Sequence, residues 1–274
     1  MVEGPGFFSD IGKKTRDLLY KDYQNDKFSI LLYPAPEISI TSAAIRKGRK
    51  FLPAGSFELK KNDFTTDMKM DTNSNLLTRI TYDEPAFGVK TKLSFIVPNH
   101  KSGKLKLKYQ HQYAGIMAST GLTARPIVSF SGVVGNDVVS VGAEVVYDAA
   151  GGNLAKYNTG LNFTHSGFIG SLILEDKCDS LKAFYYCTLN PMTKTAVGGE
   201  LWHKFSNNEN TLVFGAQHTV SPMTFVKARL NNYGMVGLMF VQDRTAKLRI
   251  IMSVQGDLTA AEEPKIGLAL SLKP

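Results

Sequence analysis

The residues best placed to do chemistry in this sequence are cations set two apart. Lys104, Lys106 and Lys108 alternate with Leu105, Leu107 and Tyr109. Lys90 and Lys92 oppose a side made of Val89, Thr91, Leu93 and Phe95. Lys69 opposes Met68 and Met70, Lys60 lies just upstream, and Lys227, Arg229, Lys247 and Arg249 repeat the pattern late in the chain. Period two puts each set on one face of an extended strand. A row of ammonium and guanidinium groups does no proton transfer. Its chemistry is a positive potential, which along a water-filled path concentrates anions and depletes cations. On a soluble protein the same rows are an ordinary solvated face.

The whole chain shares this bias. Its 274 residues carry 32 Lys+Arg against 24 Asp+Glu, a net charge of +8, which favours anionic partners. Enzyme signals are poor. His100, His111, His165, His203 and His218 are scattered, without a zinc-protease pair, and no nucleophile elbow, P-loop or Rossmann glycine pattern is present. No metal or cofactor is expected. The aromatics form no RNA-binding motif, so nucleic acid is not the main partner. Cys178 and Cys187 are too few for a disulfide framework and are expected to be unpaired packing residues. Asn162-Phe163-Thr164 matches a glycosylation sequon by chance, because the N-terminus lacks the features of a secretory signal. No run of 18 apolar residues exists, so no transmembrane helix is predicted.

The elements that must position these cations are mostly strands. One helix precedes them. Phe7, Phe8, Ile11, Thr15, Leu18 and Leu19 fall within an arc of about 120° at helical periodicity. Asp10, Lys13, Lys14, Arg16 and Asp17 take the other side; Ser9 is the expected N-cap, with Asp10 at the positive end of the dipole. From residue 27 onward, alternating runs are separated by turn signals such as Asn73-Ser74-Asn75, Asp83-Glu84-Pro85, Pro98-Asn99-His100, Gly151-Gly152-Asn153 and Asn231-Asn232. No linker or composition shift interrupts them, so the chain reads as a single domain: residues 1–26 for helix and linker, 27–274 for the β body. Alternation alone does not tell a lipid-facing apolar side from a core-facing one. The long strand units favour a membrane barrel over a sandwich. Trp202 and many tyrosines are then expected at the membrane interface.

Three stretches resemble the eukaryotic mitochondrial porin, the voltage-dependent anion channel. Ile11–Tyr23 is similar to the family's N-terminal helix. Phe225–Gly237, preceded by Ser221-Pro222, resembles its C-terminal signature. Lys265-Ile266-Gly267-Leu268-Ala269-Leu270-Ser271-Leu272 matches the mitochondrial β-signal for membrane insertion, carried by Lys265, Gly267, Leu270 and Leu272. The character is closest to plant members.

The resemblance implies an all-β membrane protein: one closed barrel of about nineteen strands, the helix inside the pore, in the mitochondrial outer membrane. Residues 27–274 spread over nineteen strands give about 13 residues per strand and turn, as a tilted membrane strand requires. An odd strand number forces the first and last strands, near Lys27–Tyr33 and Ile266–Leu272, to pair in parallel. Strand spacing and tilt give a backbone diameter near ~38 Å and, after side chains and one helix, a path of about 15 Å. The implied function is a voltage-gated, anion-preferring diffusion pore for ATP, ADP, phosphate and small organic anions. Lys13 and Lys21 match helix positions that meet nucleotide phosphates, with Lys14 and Arg16 beside them. The resemblance also admits a homo-oligomer and cytosolic kinase or apoptosis-regulator partners. Two departures stand out: Asp22-Tyr23-Gln24-Asn25-Asp26 replaces a glycine-rich hinge, and Met68 stands where some animal members place a lipid-facing glutamate. The alternatives are the related protein-import barrel and a soluble β-rich binding protein.

Overall fold

The computed structural model describes residues 4–48, 50–71, 75–84, 87–99, 102–245, 247–259 and 263–273. The turn residues Asn73, Ser74, Pro85 and His100 lie outside them. A 3-10 turn, Phe8–Asp10, precedes the helix α1, Lys13–Tyr20. The first strands are β1 (Lys27–Ala35), β2 (Ile38–Lys47), β3 (Lys50–Lys61), β4 (Phe64–Met70), β5 (Leu76–Glu84), β6 (Val89–Val97) and β7 (Lys104–Gln110). Then come β8 (Ala114–Gly121), β9 (Ile127–Gly135), β10 (Val139–Asp148), β11 (Asn153–His165), β12 (Phe168–Glu175) and β13 (Ser180–Asn190). The last are β14 (Thr195–Lys204), β15 (Glu209–Ser221), β16 (Thr224–Asn231), β17 (Met235–Thr245), β18 (Leu248–Asp257) and β19 (Lys265–Leu272).

Each strand pairs antiparallel with its neighbour in sequence, and β1 closes the sheet by pairing parallel with β19. Phe28 to Leu32 run alongside Leu268 to Leu272 in that seam. Nineteen strands cannot close any other way, since alternating directions leave the first and last strands pointing alike. Closure gives every strand two partners, as a bilayer demands of backbone N–H and C=O groups.

Register sorts the side chains. Residues directly opposed across a ladder share a face, so one known residue fixes its neighbours. Val133, Ile173, Phe184 and Val213 are buried against the N-terminal segment, which places them inside. Following the ladders around, the outer face carries Ile30, Leu32, Phe57, Met68, Leu107, Phe130, Val141, Leu161, Leu172, Phe214, Leu238 and Met252, all exposed in the isolated chain. This apolar exterior is the lipid-facing band of a transmembrane barrel. Met68, opposite Phe57 and Thr78, sits within it without a charge.

Trp202 does not join this exterior. It opposes Lys182 and Thr211 on the inner face, because the Thr195–Lys204 alternation starts from Ala196, which is buried under the helix. The expected N-cap also differs. Ile11 is extended and Gly12 adopts φ +70°, so the helical stretch breaks into a 3-10 turn and α1, with Gly12 as the cap of α1. Ser9 stays exposed, while the Asp10 carboxylate accepts from the Phe7 N–H at 3.1 Å. A Cβ at Gly12 would meet the Phe184 ring at 2.5 Å, so the break also lets the chain lie close on the wall.

The N-terminal segment climbs the inner wall obliquely, from the linker at one mouth to Gly4 beside the His111 carbonyl at the other. Glycines floor its path. Gly267 lies under the backbone of Gln24, Gly237 under Tyr23, Gly215 under Leu18 and Leu19, Gly198 under Thr15 and Leu18, Gly160 under Ile11 and Phe8, Gly142 under Phe8, and Gly115 under Gly6. Glycine inside a strand is costly unless another backbone comes close. Here it does. A Cβ at Gly267 would coincide with the Gln24 carbonyl, whereas one at Gly256 would meet nothing. Gly267→Ala is therefore expected to lower stability in detergent micelles by about 1–3 kcal/mol, as overpacking does. Gly256→Ala should stay within about 0.5 kcal/mol. Denaturant unfolding followed by circular dichroism compares the two.

Candidate functional site: the pore lining

The apolar stripe of the N-terminal segment is fully used. Phe8 and Ile11 pack with Val133, Ile173 and Phe184. Leu18 and Leu19 pack with Ala196 and Val213, with Tyr186 alongside. Thr15 donates to the Tyr185 carbonyl at 3.3 Å. These partners are inward-facing apolar residues on an otherwise polar wall, which is what a docked amphipathic segment needs. The 3-10 turn rests on β9 and β10, and α1 on β13 to β16.

The C-terminal end of α1 is held by two cations from β16. Lys227 Nζ donates to the Asp17 carbonyl at 2.9 Å and reaches the Lys21 carbonyl at 3.5 Å. Arg229 donates through Nη1 to the Leu19 carbonyl at 2.9 Å and through Nη2 to Gln255 Oε1 at 2.8 Å. Its guanidinium lies 4.4 Å from the centroid of the Tyr23 ring and 5.4 Å from that of Tyr20. Cations at the last carbonyls satisfy orphan acceptors and complement the negative end of the helix dipole. Burial raises both phenols, Tyr23 to about 12 and Tyr20 further, with Arg229 pulling the other way, so both rings stay neutral at physiological pH. The linker is fixed as well. Gln24 N–H donates to Ser253 Oγ at 2.9 Å.

The expected pore cations thus meet different fates. Lys13 and Lys14 are exposed on the side of α1 turned to the lumen, and Lys21 is exposed at its end. Lys13 pairs with Asp10 at 3.2 Å, a solvated contact of little energetic weight. Arg16 is half-buried and donates to the Ser9 carbonyl at 2.6 Å while lying over Phe184, so it braces the break at Gly12. Lys60 and Lys69 face inward on β3 and β4, and Lys90, Lys92, Lys104, Lys106 and Lys108 do so on β6 and β7. That wall is left bare by the helix. Lys227 and Arg229, expected to line the path, are instead spent on the helix, and Lys227 is buried. Arg249 forms a two-pronged pair with Asp243, at 2.7 and 3.0 Å. Lys247 lies in the turn before β18 rather than on its inner face.

Of the β-signal residues, Lys265 opens β19 opposite Gln255, and Gly267 seats the linker. Leu270 and Leu272 face lipid between Ile30 and Leu32 of β1 and Ile250 and Leu248 of β18. Among the described residues, no group of His, Cys, Asp and Glu could hold a metal ion. Cys178 is free and exposed in a turn, and Cys187 is free on the outer face of β13.

The comparisons with known proteins agree with this geometry. Residues 4–267 match the profile of the family described as Eukaryotic porin. The chain belongs to the eukaryotic porin family. The potato (Solanum tuberosum) mitochondrial outer membrane protein porin of 36 kDa is 51% identical over 276 aligned residues, covering 100% of both chains. The potato porin of 34 kDa is 49% identical with the same coverage. Among solved structures, a triple mutant of the Rhodopseudomonas blastica porin superposes with TM-score 0.50 at 9% identity, covering 76% of this chain and 90% of that one. That likeness concerns the barrel alone. This eukaryotic porin is a mitochondrial outer membrane protein forming a pore through the bilayer.

Sequence reasoning missed two parts of the pore. Arg79, inward on β5, escaped notice although Thr78, Arg79 and Ile80 alternate as clearly as the lysine runs. The floor of glycines also escaped, although each occupies an inward position of its strand's alternation, where glycine signals close approach.

The anchoring of α1 is testable through its buried cation. Lys227→Met keeps the apolar stem and removes the donor, forfeiting charged hydrogen bonds worth roughly 1.5–3 kcal/mol each. With a nitroxide on Asp22→Cys in a Cys178→Ser, Cys187→Ser background, this variant should show a mobile spectral component absent from its parent. Identical line shapes would mean that apolar packing alone holds the segment.

Proposed function

We propose that this porin is a voltage-dependent, anion-preferring pore for ATP, ADP, phosphate and small organic anions. The observation that carries this reading is the division of the lumen. The N-terminal segment covers the wall from β8 round to β19 and touches β7 where Phe7 meets Lys108, and the solute path lies between its exposed lysines and the remaining wall of β1 to β7. Lys13, Lys14 and Lys21 line one side of that path, with Lys90, Lys92, Lys104, Lys106 and Lys108 on the other. Charges of one sign across a narrow, water-filled passage with low-dielectric walls raise the local concentration of the opposite ion without a tight site. The helix is a fixed constriction in this reading, since its floor, its C-terminal carbonyls and its linker are all engaged. Voltage acts on the basic residues at about 2.3 kcal/mol per unit charge per 100 mV, so a few of them moving part-way suffice.

Planar-bilayer reversal potentials in a KCl gradient test this. Chloride preference is expected near ~0.1 M salt, fading towards ~1 M as the screening length falls from about 10 to about 3 Å. Lys13→Gln, Lys14→Gln, Lys21→Gln should lower the preference without closing the channel. Cation preference of the unmodified, high-conductance channel would overturn the electrostatic account.

A further inference from the structure

Strands β6 and β7 carry an arrangement that general anion preference does not require. Lys90 stands directly opposite Lys108 and Lys92 directly opposite Lys106, with Ser94 opposite Lys104. Arg79 on β5 opposes Ser94, extending the row by one strand. Like charges directly opposed across a ladder destabilise a sheet. Two such pairs on neighbouring rungs are a local cost without any structural return. The carboxylates nearby are fewer: Asp83 pairs with Lys90 at 2.5 Å, Asp67 stands opposite Arg79, and Asp10 of the N-terminal segment is within electrostatic reach of Lys108. Among the described residues, none of the other five cations has an ion-pair partner. These groups, with Thr81 and Ser119, line one recess of about 480 Å³.

We propose that this recess is a binding strip for linear oligophosphates, the chain carried by nucleoside triphosphates or inorganic tripolyphosphate. The inference rests on the anion-pore reading above and assigns it a discrete subsite on the wall away from the helix. Successive rungs are roughly 6.6–6.8 Å apart, so an extended phosphate chain spans two of them. A monovalent ion neutralises one ammonium and leaves its opposed partner uncompensated. A chain of charged phosphates compensates both strands together, and each further contact is intramolecular once the first has formed. Lysine suits this task because its ammonium is a mobile point charge that tracks phosphate oxygens without fixed geometry. The Thr81 hydroxyl supplies a neutral donor between the charges, while Ser94 Oγ donates to the Lys104 carbonyl at 3.5 Å and Ser119 Oγ shares a hydrogen bond with Ser129 Oγ at 2.7 Å. Among the described residues no aromatic side chain lines the recess itself; the Phe7 ring, its centroid 4.6 Å from Lys108 Nζ, is engaged by that ammonium at the recess edge. The strip recognises the phosphate chain and ignores the nucleoside.

The test measures inhibition of single-channel chloride current by sodium tripolyphosphate, ATP and GTP in the full chain in planar bilayers. The three should act at concentrations within about threefold of one another. In Lys92→Gln, Lys106→Gln the half-inhibiting concentration of each should rise about tenfold, the equivalent of ~1.4 kcal/mol. Lys92→Arg, Lys106→Arg should retain inhibition, which separates loss of charge from faulty assembly, and the helix triple variant should move it less than about threefold. If chloride preference persists but the glutamine variant is inhibited like the unmodified channel, the strip is wrong and the pore reading stands. Loss of chloride preference in the unmodified channel would remove both. ATP and GTP inhibiting far better than tripolyphosphate would place the nucleoside in the site and also overturn the proposal.

Discussion

A bilayer offers the backbone no hydrogen-bond partners, and everything else in this molecule depends on meeting that condition by closure. Eighteen antiparallel ladders still leave two edges, and the parallel ladder of β1 with β19 removes them. The outward leucines and isoleucines of the seam, Ile30, Leu32, Leu270 and Leu272, continue the lipid face across it without a gap. Once the sheet is closed, the alternation of every strand acquires an inside and an outside, and the inside is water-filled rather than packed.

A water-filled interior is a poor host for an amphipathic segment, and the wall is adapted locally to hold one. Glycines bring the segment's backbone and apolar side chains against the sheet, and Val133, Ile173, Phe184 and Val213 give its stripe apolar neighbours. Lys227 and Arg229 then occupy the carbonyls at its C-terminal end. The C-terminal signature and the β-signal each contribute to this seat, through Lys227, Arg229 and Gly237 in one and Gly267 in the other. Motifs that mark the family in sequence thus meet the N-terminal segment in space.

Docking the segment on one arc also makes the pore asymmetric. Cations on the covered side are used up in packing or turned into the lumen from the helix itself. On β6 and β7, Lys108 lies over the Phe7 ring at 4.6 Å and Lys90 pairs with Asp83, while Lys92, Lys104 and Lys106 are left uncovered by the segment. The electrostatic character of the path follows from where the helix lies as much as from the net charge of +8.

The barrel, its strand pattern, its family and the apolar stripe of the first helix were all legible in the sequence, because each rests on short-range periodicity or on motifs contiguous in the chain. The fates of individual cations were not. Lys106 and Lys227 look alike in sequence, each inward and flanked by apolar neighbours, yet one faces water and the other lies beneath a helix more than 200 residues away. Trp202 likewise has the composition of an interface residue and the register of a lumenal one. The sequence by itself determined which residues share a face. Only the tertiary structure decided which face is inside, what covers it and which charges stay in contact with solute, because those depend on ladders and contacts between residues far apart in the chain.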